Sequence, residues 1–231
     1  TSKSHTIGIF DPIRLNSFFF REVFEGIERA CGEDGYDILL FTNKKWDDLW
    51  VNFSFREKCA DRNVDGVIIM GFGKIDLSQF DSLLQSDIPT TFIDIDLVGR
   101  NASYVSSDNI NGAKTAIKYL NSLGHKKIAM IMGPSGFRVA HDRFFGFQTA
   151  LNELKIEYNP AWVFNGEYSI EVGYQAMTEI LKQKEKPTAI FGEDMFAIGA
   201  IRAIRDHGLS VPEDFSVIGF DDIELAKHYD L

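Results

Sequence analysis

At 231 residues the chain is longer than one average domain, so one large α/β unit or two smaller lobes is expected. Hydrophobic residues at 45% and charged residues at 25% can build a sizeable core, and no apolar run approaches the length of a membrane span. A net charge of -10 works against contact with a polyphosphate backbone, whose binding needs clustered Lys and Arg, so this stretch is not expected to bind DNA by itself.

Apolar runs of strand length alternate with segments of helical period, the pattern of a parallel sheet with crossover helices. TIGIF at 6–10 reads as a strand, 19–34 as a helix stopped at Gly35, YDILLF at 36–41 as a strand and 55–63 as a helix. VDGVIIMG at 64–71, a helix around 77–85 and TTFIDI at 90–95 continue the βα repeat. After a short strand at 104–107 the pattern restarts with a helix over 109–123, for which Ser107 or Asp108 is placed to cap the first backbone N–H groups. Strands at 128–132, 162–164, 188–191 and 215–220 then alternate with helices at 139–154, 170–182 and 195–207. The restart divides the chain into an N-terminal lobe over 5–104 and a C-terminal lobe over 105–231. A small-molecule site is expected in the cleft that two such lobes make. Cys31 and Cys59 both fall in expected helices and read as reduced core thiols rather than a bridge, which leans toward the cytoplasm.

Three stretches of the second half carry the most specific information: LGHKKIAMIMGP at 123–134, VAHDRFFGF at 139–147 and SVIGFDD at 216–222. The first is a helix stop, a basic step and a buried strand. The second opens a helix with an arginine near its start. The third ends a buried strand in two carboxylates, where open parallel sheets present ligand groups. This order resembles the effector-binding domain of the LacI/GalR transcriptional regulators over residues 6–222. The resemblance implies an α/β fold of two flavodoxin-like lobes of the type I periplasmic-binding-protein kind. It also implies a helix-turn-helix ahead of this stretch and a segment returning to the first lobe after it, so the 231 residues read as part of a longer chain.

The same resemblance assigns candidate ligand contacts. Ser17, Phe19 and Phe20 lie in the stretch NSFFF, which is similar to the family's S-N-P-F-F loop, one aromatic of which packs on the ligand; the alternative is that the phenylalanines are core residues. Asp94 ends TTFID, where the family often has Asp-Arg, but Ile95 follows here and removes a five-donor fork. Arg143 in HDRFFGF matches an arginine that donates to ligand oxygens, with Gly146 and Phe147 as packing positions and Arg138 and His141 on a solvated face. Tyr168 in NGEYS matches an aromatic that stacks on the ligand and adds a phenol donor. Glu193 in GEDMFAIGA stands where the family's A-N-D-x-x-A-x-G-A has asparagine; ionised Glu only accepts hydrogen bonds, so its ligand must donate. Asp221 matches a carboxylate that takes two adjacent hydroxyls, while Asp194 and Asp222 read as helix caps.

With Asp94, Glu193 and Asp221 against one arginine, a neutral or cationic ligand is expected, because an anion would lose hydration without compensation. No H-E-x-x-H, C-x-x-C, G-x-S-x-G or G-x-x-x-x-G-K motif is present, and GFGKID lacks the third glycine of a dinucleotide loop, so no metal, cofactor or catalytic role is expected. Trp46 and Trp50, in a polar stretch, are left as surface or partner contacts. The expected function is a sensor domain for a small sugar or polyol, in a homodimer that acts on operator DNA through an attached module. The competing class is an exported sugar-binding protein serving a transporter; an enzyme on the same fold is a distant third.

Overall fold

The computed structural model describes residues 3–10, 18–41, 54–71 and 77–229. The chain divides into two compact units, Thr1–Ser107 and Asp108–Leu231. Each is a parallel sheet with flanking helices, the α/β architecture expected from the alternating pattern.

In the first unit the strands are β1 (Thr6–Phe10), β2 (Asp37–Phe41), β3 (Gly66–Met70), β4 (Thr90–Ile93) and β5 (Ala102–Val105), in the spatial order β2-β1-β3-β4-β5. All four pairings are parallel, with Gly8 opposite Leu39 and Val67. Helices α1 (Phe18–Glu33), α2 (Phe55–Asp61) and α3 (Asp81–Leu84) connect them, the last preceded by a 3-10 turn at Leu77–Phe80. One face of the sheet is an aromatic column. Phe10 stacks on Phe41 at 4.3 Å between ring centroids and meets Phe55 edge-on at 4.9 Å; Phe80 then links Phe55 to Phe92. Gly8 makes room for it, since a Cβ there would stand 2.6 Å from the Phe41 ring. The other face packs Ile9 and Met70 against Phe20, Phe24 and Ile27 of α1.

The second unit has β6 (Ile128–Met132), β7 (Val163–Asn165), β8 (Ala189–Gly192) and β9 (Ser216–Ile218), ordered β7-β6-β8-β9 and again all parallel. Every residue of β6 and β8 is buried, as a strand covered on both faces requires. Helices α4 (Asn109–Ser122) and α5 (Arg138–Glu153) cover one face through Ile117, Leu120, Phe147 and Leu151. Helices α6 (Ile170–Lys182) and α7 (Asp194–Asp206) cover the other through Met177, Ile180, Phe196 and Ile204. Gly146 and Phe147 are packing residues, as expected. A Cβ on Gly146 would approach the Ile110 carbonyl oxygen to 2.4 Å, so the glycine lets α5 lie close against α4.

Several expected boundaries move. The residues read as a strand at 162–164 begin as a 3-10 turn over Pro160–Trp162, because the Asn159 side chain caps Ala161 N–H and Pro160 sits at the first position. The strand expected at 104–107 lies earlier, where Ala102 pairs with Thr90. Asp108 caps α4, accepting from Asn111 N–H at 3.1 Å. Ser169 does the same for α6 through Val172 N–H at 3.2 Å. Replacing Ser169 by Ala should lower stability by about 1 kcal/mol, the usual cost of a lost cap; urea denaturation with an unchanged m-value would read it, and no shift in midpoint would show the cap idle.

Asp194 and Asp222 are not caps. Glu193 takes the cap position of α7 without a side-chain bond, while the Asp194 carboxylate accepts from Ile223 N–H at 2.8 Å. Ile223, not Asp222, precedes the 3-10 turn Glu224–His228.

Candidate functional site

The polar centre of the second unit lies at the carboxyl ends of its strands. Chain reversals after β6, β8 and β9 place Gly133, Glu193 and Asp221 there, the starts of α4 and α6 add Asn109 and Tyr168, and α5 presents Arg143 from its second turn. The Arg143 fork is nearly consumed by the protein. Its Nε donates to Asn109 Oδ1 at 2.8 Å, Nη2 donates to Asp221 Oδ1 at 2.8 Å, and Nη1 lies 3.0 Å from Glu193 Oε1. The guanidinium also lies 3.9 Å over the Phe220 ring, a cation–π contact that a planar, weakly hydrated cation makes well. A Cβ on Gly112 would run into that ring at 2.7 Å, so the glycine in α4 seats the platform on which the arginine rests.

Burial makes this cluster electrostatically costly. Arg143 is 5% exposed, Glu193 1% and Asp194 2%. Loss of hydration raises Glu193 above the usual carboxylate range, with Arg143 only partly opposing it. The same burial pushes Asp194 up to about 6 against the Ile223 hydrogen bond, and Asp221 up to about 7 against Arg143, with Glu193 and Asp194 adding repulsion. Burial pulls the Arg143 guanidinium down, but Asp221 and then Glu193 outweigh it and hold the charge firmly. Among the described residues the cluster therefore sets three carboxyls against one cation in a buried setting. Asp221 also has φ of 109°, a backbone conformation that costs a non-glycine residue about 1–3 kcal/mol and clusters at functional sites.

Of the other expected contacts in this unit, Tyr168 is half-buried, stacked on Phe196 at 5.7 Å and edge-on to Phe137 at 5.5 Å. Gly133 is what admits it, because a Cβ there would fall 2.3 Å from the tyrosine hydroxyl oxygen. Arg138 and His141 are exposed; Arg138 pairs with Asp142 one turn on, and His141 bonds the Ser135 carbonyl.

In the first unit Asp94 follows β4 with φ of 59°, and its Oδ1 accepts from Ser106 Oγ at 2.9 Å. Phe20 is buried with Ile9 and Met70, and Phe19 is half-buried against the same cluster, the two rings edge-on at 5.3 Å. Ser17, Trp46 and Trp50 lie outside the described residues. Four expected residues thus gather in one place: Arg143, Tyr168, Glu193 and Asp221. The residues that sequence reasoning missed are Asn109, Phe220 and the two glycines Gly112 and Gly133. Their signal is weak, because each acts on a partner far along the chain.

A model of the family described as a periplasmic binding protein domain matches residues 7–229. Among curated proteins the chain is 34% identical over 220 residues to the HTH-type transcriptional repressor PurR of Haemophilus influenzae, covering 91% of this chain and 62% of that protein. It is 34% identical over 230 residues to the probable HTH-type transcriptional repressor ExuR of Bacillus subtilis and 33% identical over 232 residues to the ribose operon repressor of Haemophilus influenzae; each match covers 98% of this chain and 67% of the relative. The chain thus spans about two thirds or less of the length of these relatives. Among solved structures, a LacI-family regulatory protein from Chloroflexus aggregans superposes with a TM-score of 0.83 at 27% identity, covering 97% of this chain and 81% of the other. A complex of the transcriptional regulator CelR with cellobiose superposes with a TM-score of 0.82 at 26% identity, covering 99% and 71%.

Proposed function

The chain belongs to the effector-binding domains of the LacI/GalR transcriptional regulators, with the periplasmic-binding-protein fold, and from that premise we propose that it senses a small neutral sugar or polyol and thereby controls operator binding by an attached helix-turn-helix. The observation that carries this reading is the buried cluster of Arg143, Glu193, Asp221 and Asn109 at the strand ends. It is a polar, pre-organised set where parallel sheets present ligand groups, and the strained Asp221 backbone marks it further. The proposed contacts are Ser17, Phe19, Phe20 and Asp94 from the first unit and Arg143, Tyr168, Glu193 and Asp221 from the second. Arg143 acts chiefly as the group that aligns both carboxyls, and its remaining N–H groups face the ligand. A regulator of the same fold in complex with cellobiose supports a carbohydrate.

A ligand held by both units stabilises the arrangement it fits best, and its differential affinity is the allosteric signal, typically about 1–3 kcal/mol of coupling. In a homodimer that arrangement sets the spacing of two DNA-reading modules against half-sites about one helical turn apart or a multiple of it. Such a regulator works in the cytoplasm and catalyses nothing. Among the described residues no helix is long and apolar enough to cross a membrane.

Thermal-shift screening against a panel of neutral sugars, their phosphates and their uronic acids tests this reading. A cognate ligand at 100 times its dissociation constant should add about 2.7 kcal/mol of stability. Asp221→Asn should lose most of that shift. A phosphorylated sugar that outcompetes its neutral parent, or a shift untouched by Asp221→Asn, would overturn the assignment.

A further inference from the structure

We propose that Glu193 is held as a neutral acid in the unliganded protein and serves as a pH-gated stand-in for an amide in the effector site. Its relevance to sensing rests on the reading above; its chemistry rests on the cluster.

Glu193 is 1% exposed, and neither of its oxygens has a hydrogen bond in acceptable geometry among the described residues. Its one oppositely charged contact among the described residues is Nη1 of Arg143 at 3.0 Å. That guanidinium is already committed to Asp221 Oδ1 and Asn109 Oδ1. The neighbours that act on Glu193 can be taken element by element. Helix α5 supplies Arg143, the turn after β9 supplies Asp221, the residue after Glu193 is the buried Asp194, and the turn after β6 offers the Gly133 backbone. Asn109 and Tyr168, at the starts of α4 and α6, complete the surroundings of Arg143. Ionising all three carboxyls would leave two uncompensated negative charges in a buried cluster. A buried carboxylate that meets one cation and the Gly133 backbone without a well-formed hydrogen bond is a costly species, and taking up a proton removes the cost.

The protonated acid has an O–H donor and a carbonyl acceptor, the same pair that an asparagine or glutamine side chain offers. Glu193 thereby keeps an amide-like recognition pattern at low pH and loses it when ionised. Above its titration point the site has a second negative acceptor and repels ligand oxygens. The sign for stability follows from burial raising the carboxyl. The contribution is fully present below the unfolded pKa of a glutamate and is lost as pH rises through the folded value. Asp194 and Asp221 slope the same way, so the total pH dependence does not single out Glu193.

Carbon-13 NMR of the Glu193 side-chain carboxyl in the labelled, unliganded chain, assigned through bonds to its own backbone, isolates it. We expect the carboxyl to remain protonated at pH values where an ordinary glutamate is ionised, with a midpoint above that of an ordinary glutamate. Glu193→Gln should match the wild type in Tm at about pH 5 and show a shallower fall in Tm toward about pH 8. A midpoint at or below that of an ordinary glutamate would overturn the proposal, and the NMR arm needs no variant to fold. An equal fall in Tm for a folded Glu193→Gln would overturn it as well. A sugar panel without a hit would defeat the ligand reading and leave this titration standing, so the two failures are distinguishable.

Discussion

Replacing Arg143 by Ala should cost about 3–5 kcal/mol at neutral pH, the range found when one partner of a buried ion pair is removed. The loss has three parts. Asp221 and Glu193 lose their only described cationic contact, Asn109 loses its donor partner, and the Phe220 ring loses the cation lying 3.9 Å above it. Urea denaturation at two pH values gives the result a signature that a simple packing defect lacks. At about pH 5 the orphaned carboxyls take up protons, so the penalty should shrink relative to about pH 7.5. Arg143→Lys should fall between the two, since an ammonium keeps the charge but not a planar fork that reaches three acceptors. A cost below about 1 kcal/mol for the alanine variant, equal at both pH values, would mean that the cluster is solvated and the ion pairs are ordinary surface pairs.

Gly199→Ala is expected to be nearly as damaging, for a steric reason. Where α6 crosses α7, a Cβ on Gly199 would lie 2.0 Å from the Ile170 carbonyl oxygen and 2.6 Å from Tyr174 N. The contact is reciprocal, because a Cβ on Gly173 would lie 2.2 Å from the Phe196 carbonyl oxygen. Both clashes are with backbone, which no rotamer change relieves, so the helices must separate and loosen the packing of Met177, Ile180, Phe196 and Ala200 between them and the sheet. Overpacking of this kind should cost about 3 kcal/mol. Gly26, exposed in α1 with nothing within 4 Å of where a Cβ would stand, is the matched control. There Ala should stabilise by about 0.5–1 kcal/mol through helix propensity alone. A tolerated Gly199→Ala would show that α6 and α7 lie farther apart than described.

Local periodicity made much of the fold legible. The segment IEVGYQAMTEILK marks α6 to the residue, and IAMIM is β6. Where local chemistry competed with the pattern, the structure departs from it. Asn159 and Pro160 turned the start of an expected strand into a 3-10 turn, and Asp194 bonds a distant N–H instead of capping its own helix. At the site, the family resemblance pointed to Arg143, Glu193 and Asp221, which the structure brings together, and comparison with other chains supports that family.

The amino-acid order alone determined the alternation of buried strands and amphipathic helices, the strand ends that end in carboxyls, and the excess of acid over base among the candidate contacts. These are properties of residues close together in the chain, and side-chain period and turn chemistry record them directly. Only the tertiary structure decided that Arg143 spends its donors on Asn109 and Asp221, 34 and 78 residues away, and that Glu193 is shut from water. Protonation and hydrogen-bond commitment depend on which distant groups share a buried volume. That is set by how helices and sheet close on one another, and no local pattern encodes it.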